Sequence, residues 1–515
     1  MSRSRPHIVV IGAGIGGLAA AARLAHAGLR VTVLERQDAP GGKMRTLPTA
    51  AGAADAGPTV LTLRGVFDGL FRDLGLRLDD HVTLRPEPVL ARHWWPDGTT
   101  LDLFADAEAS AAAIRAFAGE RAEAQFRRFT TETRRLFEAF ERPMMHNAAP
   151  KQSALALRVM RAPSLMAAMA PHRSLASHLA RRFDDPRLRQ LFARYATYVG
   201  GSPYEAPALL SLIGHAEAAG VWRVGGGMHA LAQAVAHAAQ TLGADVRYGA
   251  PVRRIEVQDG NVAAVHTGDE RLPCTHLVFN GDPRALVEGM LGEAVRPAVP
   301  RQQVEPRSLS AHVWTFAARP HGRELSHHNV LFGADPRSEF DPIARGRMPE
   351  DPAIYVCAQD RGAGLTPPAP ERFEIIVNAP PLPHATQEEF PKCLIRTFRA
   401  LAARGLTFTP EPGRAALTRP EDFDALFPAS HGSLYGRSPH GLTAGLNRPT
   451  ARTRVPGLYL AGGGAHPGAG VPMAALSGRH AAEAILTDHA STSTFRRGAT
   501  PGGTATGSAT TAAEA

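Results

Sequence analysis

Cysteine is scarce in this chain, and its pattern excludes two classes of protein. Only Cys274, Cys357 and Cys393 are present among 515 residues, and no two of them are close in sequence. An odd number of isolated cysteines argues against a disulfide framework and against a metal cluster. We therefore predict no metal site and a reducing, cytoplasmic setting.

Long apolar runs and aromatic residues are also few. The longest stretch without Asp, Glu, Lys or Arg is Val455–Gly478, which holds three prolines and seven glycines. Such a stretch would make a poor membrane-spanning helix, so we predict no transmembrane segment. Four Trp and seven Tyr give thin support for an aromatic cage around an amine substrate.

The charge balance is strongly basic, with a net charge of +9 and a pI near 10.0. A basic surface favours anionic partners such as nucleic acid, acidic lipid or phosphate. No nucleic-acid recognition motif or zinc-finger spacing is found, so we predict no nucleic-acid partner. Residues 142–183 carry seven Lys or Arg, no acid and many interleaved apolar residues. This pattern predicts contact with an anionic membrane surface; a solvated helical cap over a substrate domain is the alternative.

A glycine-rich fingerprint opens the chain. Gly12, Gly14 and Gly17 fill the G-x-G-x-x-G positions between a predicted strand, His7–Ile11, and a predicted helix, Ile15–Ala27. The glycines permit a tight turn, close approach to a pyrophosphate and close packing of helix on strand, while the helix N-terminus attracts phosphate. Glu35 ends the next predicted strand, where a carboxylate accepts hydrogen bonds from ribose hydroxyls and disfavours a 2′-phosphate. This context predicts a dinucleotide site.

The chain contains three other glycine-rich motifs. Gly41–Arg45 adds two glycines and two cations that suit a pyrophosphate. Gly225–Ala230 matches G-x-G-x-x-A, but no acid ends the strand that follows, so we interpret it as a turn into a helix rather than a second nucleotide site. The segment 458–477 predicts a strand, a glycine-rich loop and a helix starting near Pro472, which would face a bound cofactor.

The order of elements predicts an α/β fold with a Rossmann-like dinucleotide-binding domain assembled from discontinuous segments, an inserted α+β substrate domain and a helical membrane-facing region. The predicted dinucleotide-binding domain comprises 1–84, 220–290 and 445–488. The predicted substrate domain comprises 85–219 and 291–444, with the basic apolar helical region at 142–215. Residues 489–515, rich in Ser, Thr, Gly and Ala, are predicted to be a disordered tail.

Taken together, these motifs resemble the flavin-dependent amine oxidase and phytoene desaturase superfamily. The stretch Asp55-Ala-Gly-Pro-Thr59 followed by Val60–Arg64, paired with the late Ala465-His-Pro-Gly-Ala-Gly-Val-Pro472, is similar to bacterial carotenoid desaturases. The stretches Gly57–Phe67 and Pro472–Arg479 most resemble hydroxycarotenoid 3,4-desaturases, also called methoxyneurosporene dehydrogenases. The similarity spans about residues 7–487.

The resemblance implies FAD as cofactor and a set of contact residues. It places the cofactor on Gly12, Ala13, Gly14, Gly16, Gly17, Glu35, Arg36, Gly41, Gly42, Lys43, Arg45, Pro58, Thr59, Val252, Gly463, Val471 and Met473. The chain departs from the amine oxidases at Gly463, where those enzymes usually have an acid. It also has Lys43 where many relatives have Arg, with Arg45 as a candidate substitute.

The implied reaction removes two hydrogens across a C3–C4 bond of a 1-hydroxycarotenoid, with oxygen or a quinone as electron acceptor. The substrate is lipophilic, which implies an enzyme peripherally associated with the membrane. No catalytic base is evident; His466 and Arg64 are the candidates, and a structural role is the alternative for both. Other hypotheses are a phytoene-type desaturase, a carotene isomerase, an amine-oxidase-like flavoenzyme and a non-catalytic prenyl-binding protein of the same fold.

Overall fold

The computed structural model describes residues 6–268, 270–383 and 388–497. Its longest helix continues to Arg497, so the predicted tail is wrong for residues 489–497, which are helical. The remainder of that predicted tail, 498–515, lies outside the described residues.

Helices make up most of the chain between residues 107 and 218, which includes the predicted helical region 142–215. The helices are α1 (Ile15–His26), α2 (Gly65–Asp73), α3 (Ala107–Ala118), α4 (Glu120–Phe140), α5 (Gln152–Met160), α6 (Pro163–Met169), α7 (Leu175–Leu179), α8 (Pro186–Ala193), α9 (Ile213–Ala218), α10 (Met228–Thr241), α11 (Arg284–Val287), α12 (Pro336–Ala344), α13 (Phe390–Ala403), α14 (Pro420–Leu426) and α15 (Val471–Arg497).

The strands lie before residue 105 and after residue 221. They are β1 (His7–Ile11), β2 (Arg30–Leu34), β3 (Thr46–Thr49), β4 (Gly52–Asp55), β5 (Leu84–Pro86), β6 (Val89–Trp94), β7 (Thr100–Phe104), β8 (Trp222–Val224), β9 (Asp245–Arg247), β10 (Arg254–Gln258), β11 (Asn261–Thr267), β12 (Glu270–Pro273), β13 (His276–Phe279), β14 (Ser310–Gly322), β15 (His328–Leu331), β16 (Ile354–Ala358), β17 (Glu371–Ala379), β18 (Leu406–Thr409), β19 (Leu417–Thr418) and β20 (Leu458–Leu460).

A parallel sheet gathers strands from distant parts of the chain. Its order is β20-β13-β1-β2-β9, and all of its pairings are parallel. The strands read as continuous apolar runs because both faces of the sheet are buried, one against helices and the other mainly against the antiparallel strands β10–β12 and α11. Helix α1 packs between α10 and α15 on one side, in a core rich in alanine. This is the predicted Rossmann-like fold built from discontinuous segments.

A second, larger sheet contains both parallel and antiparallel strand pairs. Its order is β18-β14-β17-β16-β15-β6-β7, with β19 paired to β14. One face packs an apolar core around Trp314, Phe373 and Phe398. Residues on the other face, among them Val313, Tyr355 and Ile376, line a cavity. The residue boundaries that the sequence proposes for the two domains stay a prediction.

The motif Gly225–Ala230 is a turn into α10, as interpreted from the sequence. Asp55 caps this helix, since its carboxylate accepts hydrogen bonds from the backbone N–H groups of Met228 at 2.6 Å and His229 at 3.2 Å. A Cβ on Gly227 would lie 2.5 Å from the same carboxylate. The helix N-terminus therefore meets a carboxylate of the chain itself.

Candidate active site

The carboxyl ends of four parallel strands meet at one edge of the sheet. Gly12 follows β1, Glu35 follows β2, Asn280 follows β13, and Gly462 comes two residues after β20. All four residues line the cavity, and we call the part of the sheet that they form the cofactor edge. Ligands of open α/β sheets bind at this edge, outside the carboxyl ends of the strands.

The first glycine turn has no room for side chains. Gly12 has a φ of +96°, which L side chains rarely adopt, and a Cβ on Gly17 would lie 2.3 Å from the carbonyl oxygen of Gly12. Gly14 is the N-cap of α1, and no side chain caps the helix there. The free N–H groups of this turn therefore face the cavity, ready for a phosphate.

Glu35 is a buried carboxylate tied to this turn. Its Oε2 accepts a hydrogen bond from the backbone N–H of Ala13 at 2.6 Å, and its Oε1 accepts one from Gln37 at 2.9 Å. A carboxylate offers about four acceptor positions, so capacity remains for ribose hydroxyls. Arg36 and Val252 line the cavity beside it.

In the second loop, Gly41–Arg45, the two cations Lys43 and Arg45 lie in different surroundings. The backbone N–H of Gly41 donates to the Ala13 carbonyl at 2.8 Å, which joins the loop to the first turn. Lys43 lines the cavity and donates to the Leu434 carbonyl at 2.5 Å; burial lowers the pKa of its ammonium group to about 8. Arg45 instead donates to Thr418 at 2.8 Å and is absent from the described cavity lining, so it does not replace Lys43 there.

The late glycine loop, residues 462–464, is shaped by Arg448. This buried guanidinium donates to the carbonyls of Gly463, Tyr435 and Arg437, each at 2.8 Å. Burial and neighbouring cations lower its pKa to about 10. Nothing lies within 4 Å of a Cβ built on Gly463, so this residue faces open space in the cavity.

Asn280 joins the two glycine loops, and sequence reasoning missed it. Its Nδ2 donates to the Gly12 carbonyl at 3.1 Å, and its Oδ1 would lie 2.8 Å from a Cβ on Gly462. The Oδ1 is buried without a protein partner. A polar residue directly after a buried strand was the signal that could have revealed it.

One cavity of about 1460 Å³ extends from this edge into the space beside the mixed sheet. The predicted residues that line it are Gly12, Gly14, Gly16, Glu35, Arg36, Gly41, Gly42, Lys43, Pro58, Thr59, Val252, Gly463, Val471 and Met473. Of the other predicted contacts, Ala13 and Gly17 act through the backbone behind the lining. Beyond the cofactor edge the lining is mainly apolar, and residues of α5, α6 and the segment 209–213 contribute to it.

Comparison with known proteins identifies the family. Residues 15–319 match the family described as flavin-containing amine oxidoreductase. The hydroxyneurosporene desaturase of Cereibacter sphaeroides is 58% identical over 95% of this chain and 99% of its own, and that of Rhodobacter capsulatus is 52% identical over the same shares. The chain belongs to the flavin-containing amine oxidoreductase family. The cyclohexylamine oxidase of Brevibacterium oxydans, 18% identical, shares the fold with a TM-score of 0.58 over 94% of this chain and 100% of that one.

Membership of this family confirms the predicted flavin cofactor, FAD. The residues present fit it: an uncapped helix N-terminus, a buried carboxylate at the end of β2 and open space at Gly463 all face one cavity. Asn280 Oδ1 adds a buried acceptor beside both glycine loops. Each individual contact with FAD stays a prediction.

Thr59, in the Gly-Pro-Thr stretch, marks where this edge meets the mixed sheet. Its Oγ1 shares a hydrogen bond of 2.8 Å with the hydroxyl of Tyr355, which also bonds His328 Nδ1 at 2.7 Å. Burial lowers the pKa of His328 well below its usual value and raises that of Tyr355 well above. Both groups are therefore neutral at physiological pH.

Neither candidate base from the sequence lies in the described cavity lining. Arg64 forms ion pairs with Asp79 at 2.7 Å and Asp68 at 3.3 Å, and its guanidinium lies over the Trp222 ring. His466 Nε2 bonds the carbonyl of Asn147 at 2.8 Å. The structure thus gives both residues structural contacts and brings neither to the cavity.

Proposed function

We propose that this protein is an FAD-dependent desaturase of an acyclic carotenoid, which converts the C3–C4 single bond of a 1-hydroxycarotenoid of the hydroxyneurosporene type into a double bond. One observation carries this proposal. A single cavity joins the cofactor edge to the apolar space lined by α5, α6 and residues 209–213. The chain that contains it is 58% identical to a hydroxyneurosporene desaturase.

The apolar lining suits a polyene because it excludes water and offers a long chain continuous van der Waals contact. FAD, when bound, accepts the hydride that leaves one carbon, and the neighbouring carbon releases a proton. The chain aligns the substrate bond against the cofactor, which supplies the redox chemistry.

The test is turnover of hydroxyneurosporene in liposomes by FAD-loaded enzyme. We expect a red shift of the polyene absorption and a product lighter by two hydrogens. A product of unchanged mass would indicate an isomerase, and bleaching of the flavin by amines alone would indicate an amine oxidase. Flavin-loaded enzyme that leaves the polyene unchanged would refute desaturation.

We further propose that the protein is cytoplasmic and docks on anionic membranes through the region around α5. Residues of α5, including Leu155, Val159 and Met160, line the cavity, and Met160 is also 63% exposed. Lys151, Arg158 and Arg161 are exposed beside it. In the described residues no helix is long and apolar enough to span a bilayer. Basic and apolar residues next to a cavity support collection of a lipid-dissolved substrate.

Vesicle flotation tests this docking. We expect binding to vesicles with anionic lipid, weakened by salt, and a marked loss in the double variant Arg158→Glu/Arg161→Glu. The matched control is Arg72→Glu/Arg77→Glu, which makes the same change in net charge at exposed positions in and just after α2. Equal binding of both variants would contradict a docking surface at α5.

The proposed electron acceptor is oxygen or a membrane quinone. Mixing substrate-reduced enzyme with each oxidant separately measures which one restores the oxidised flavin spectrum at the rate of turnover. An enzyme that neither oxidant reoxidises at that rate would contradict both.

A further inference from the structure

The apolar part of the cavity contains few polar side chains, and some of them are occupied by other protein groups. Gln190 accepts from Trp95 Nε1 at 3.0 Å and donates to the Gly333 carbonyl at 2.9 Å. Arg194 donates to the buried carboxylate of Glu217 at 2.8 Å. These contacts stabilise the cavity wall.

Glu339 and Asn378 differ from Gln190 and Arg194. Glu339 places a carboxylate in the apolar lining, and in the described structure no cationic side chain is bonded to it. Both residues line the cavity, and Glu339 is only 5% exposed. Asn378 Nδ2 donates to Glu339 Oε1 at 2.8 Å, and the backbone N–H of Ala353 provides a second hydrogen bond. A carboxylate offers about four acceptor positions, so positions remain for a ligand.

Burial has a measurable cost for this carboxyl group. Desolvation raises the pKa of Glu339 to about 7, against the hydrogen bonds of Asn378 and Ala353, which lower it. A buried polar group is retained most readily where a ligand completes its hydrogen bonding. An apolar side chain at position 339 would fill the wall of a purely hydrocarbon tunnel without this penalty.

The pair lies close to Tyr355, whose hydroxyl bonds Thr59 where the parallel-sheet edge meets the mixed sheet. Ala353 and Tyr355 lie two residues apart around the start of β16, and two residues span about 6.6 Å of strand. Asn378 lies two residues beyond Ile376, the register partner of Tyr355. The carboxyl group is therefore about one pleat from the Tyr355 position, on the same cavity-lining face.

We propose that Glu339, positioned by Asn378, binds the hydroxyl group of the substrate and thereby sets which bond of the polyene faces FAD. This inference rests on the proposed function. A hydrocarbon chain can slide along an apolar tunnel because neighbouring positions offer similar contacts. A single directional hydrogen bond removes that freedom. In a 1-hydroxycarotenoid one carbon separates the hydroxyl-bearing carbon from the C3–C4 bond, so holding the hydroxyl locates that bond.

The experiment compares two polyenes of equal length, one with the 1-hydroxyl group and one without it. Their binding to dithionite-reduced enzyme is measured from the shift of the polyene absorption, which requires no turnover. The measurement is made at pH 8.5, above the pKa of Glu339 of about 7, so that the carboxylate is charged. A hydrogen bond to a charged acceptor corresponds to about tenfold to hundredfold in affinity, so the unmodified enzyme should prefer the hydroxylated polyene by that factor. Glu339→Leu should reduce the preference to within about twofold.

Two further variants keep this test sharp. Glu339→Gln keeps one acceptor oxygen and should give an intermediate preference, which covers the case in which Glu339→Leu does not fold. Met166→Leu changes an apolar cavity residue and should alter the affinity for both polyenes by the same factor. FAD content and circular dichroism are measured for each variant.

The outcomes separate this inference from the proposed function. If the unmodified enzyme desaturates the hydroxylated polyene and Glu339→Leu keeps its preference, hydroxyl binding by Glu339 is wrong while desaturation stands. If Glu339→Leu lowers kcat equally on both polyenes with KM unchanged, Glu339 acts as a proton acceptor and the inference is also overturned. If the unmodified enzyme leaves both polyenes unreacted, the proposed function fails, whatever the binding preference.

Discussion

The close crossing of α1 and α15 predicts that replacing Gly478 by alanine destabilises the protein. A Cβ at this position would lie 2.1 Å from the carbonyl oxygen of Gly16 and 3.0 Å from the backbone N of Ala20. Both are backbone atoms of α1, so neither can turn aside as a flexible side chain would. Gly478→Ala therefore requires α15 to move away from α1.

Two opposing effects determine the magnitude. Replacing glycine by alanine inside a helix stabilises it by about 1 kcal/mol. Overpacking a tight interior contact costs about 1–3 kcal/mol, and the approach of a carbon to an oxygen at 2.1 Å belongs at the upper end. We expect a net destabilisation of about 2 kcal/mol. Because α15 begins at Val471 in the cavity lining, its displacement should also weaken FAD binding.

The assay measures flavin retained after gel filtration and the urea midpoint of unfolding, with Gly69→Ala as the matched control. Gly69 lies inside α2, and a Cβ there would meet only the end of the Arg72 side chain at 3.6 Å. Gly69→Ala should be neutral or stabilising and should retain FAD. If Gly478→Ala is as stable and as flavin-rich as this control, the argument from close helix approach is refuted.

The remaining predictions concern the cofactor edge and the cavity. Asn280→Ala removes a hydrogen bond to Gly12 and should raise the Kd for FAD about fivefold by fluorescence titration; an unchanged Kd would contradict its role. Arg448→Lys keeps the charge but loses the planar donor set held by three carbonyls, so it should lower flavin content, whereas full loading would show that charge alone suffices. Glu339 has a folded pKa of about 7 against 4.5 when unfolded. The folded state therefore binds the extra proton between these values, and stability should fall as pH rises from 4.5 to 7, by about 3 kcal/mol in total. Urea midpoints of Glu339→Gln should lose this slope, and an unaltered slope would assign it to other groups.

Much of the cofactor edge could be predicted from the sequence because its signals are local. The strands His7–Ile11 and Arg30–Leu34 have the predicted bounds, since short, largely apolar runs on either side of a glycine-rich turn and helix specify buried parallel strands. Glu35 and the glycine turn are neighbours in space because one βαβ unit places them there. The resemblance to the family rests on equally local stretches, Asp55–Phe67 and Ala465–Arg479.

Residues that act through long-range contacts could not be found this way. Glu339 on α12 and Asn378 on β17 meet only in the folded chain. Arg448 bonds three carbonyls, and the sequence around Arg448 gives no sign of these contacts. Conversely, His466 and Arg64 lie in or beside recognisable motifs, but their packing turns them toward Asn147 and Asp79. Proximity to a motif in sequence does not determine where a side chain points.

The amino-acid pattern determined the class of cofactor and the strand–turn–helix unit at the sheet edge where we expect it to bind. These properties depend on residues a few positions apart, whose spacing sets hydrogen bonding and burial directly. Only the tertiary structure decided which cation faces the cavity, Lys43 rather than Arg45, and which buried carboxylate lies in its apolar wall. Those outcomes depend on packing between segments separated by hundreds of residues, because burial and partner geometry exist only once the sheets and helices have assembled.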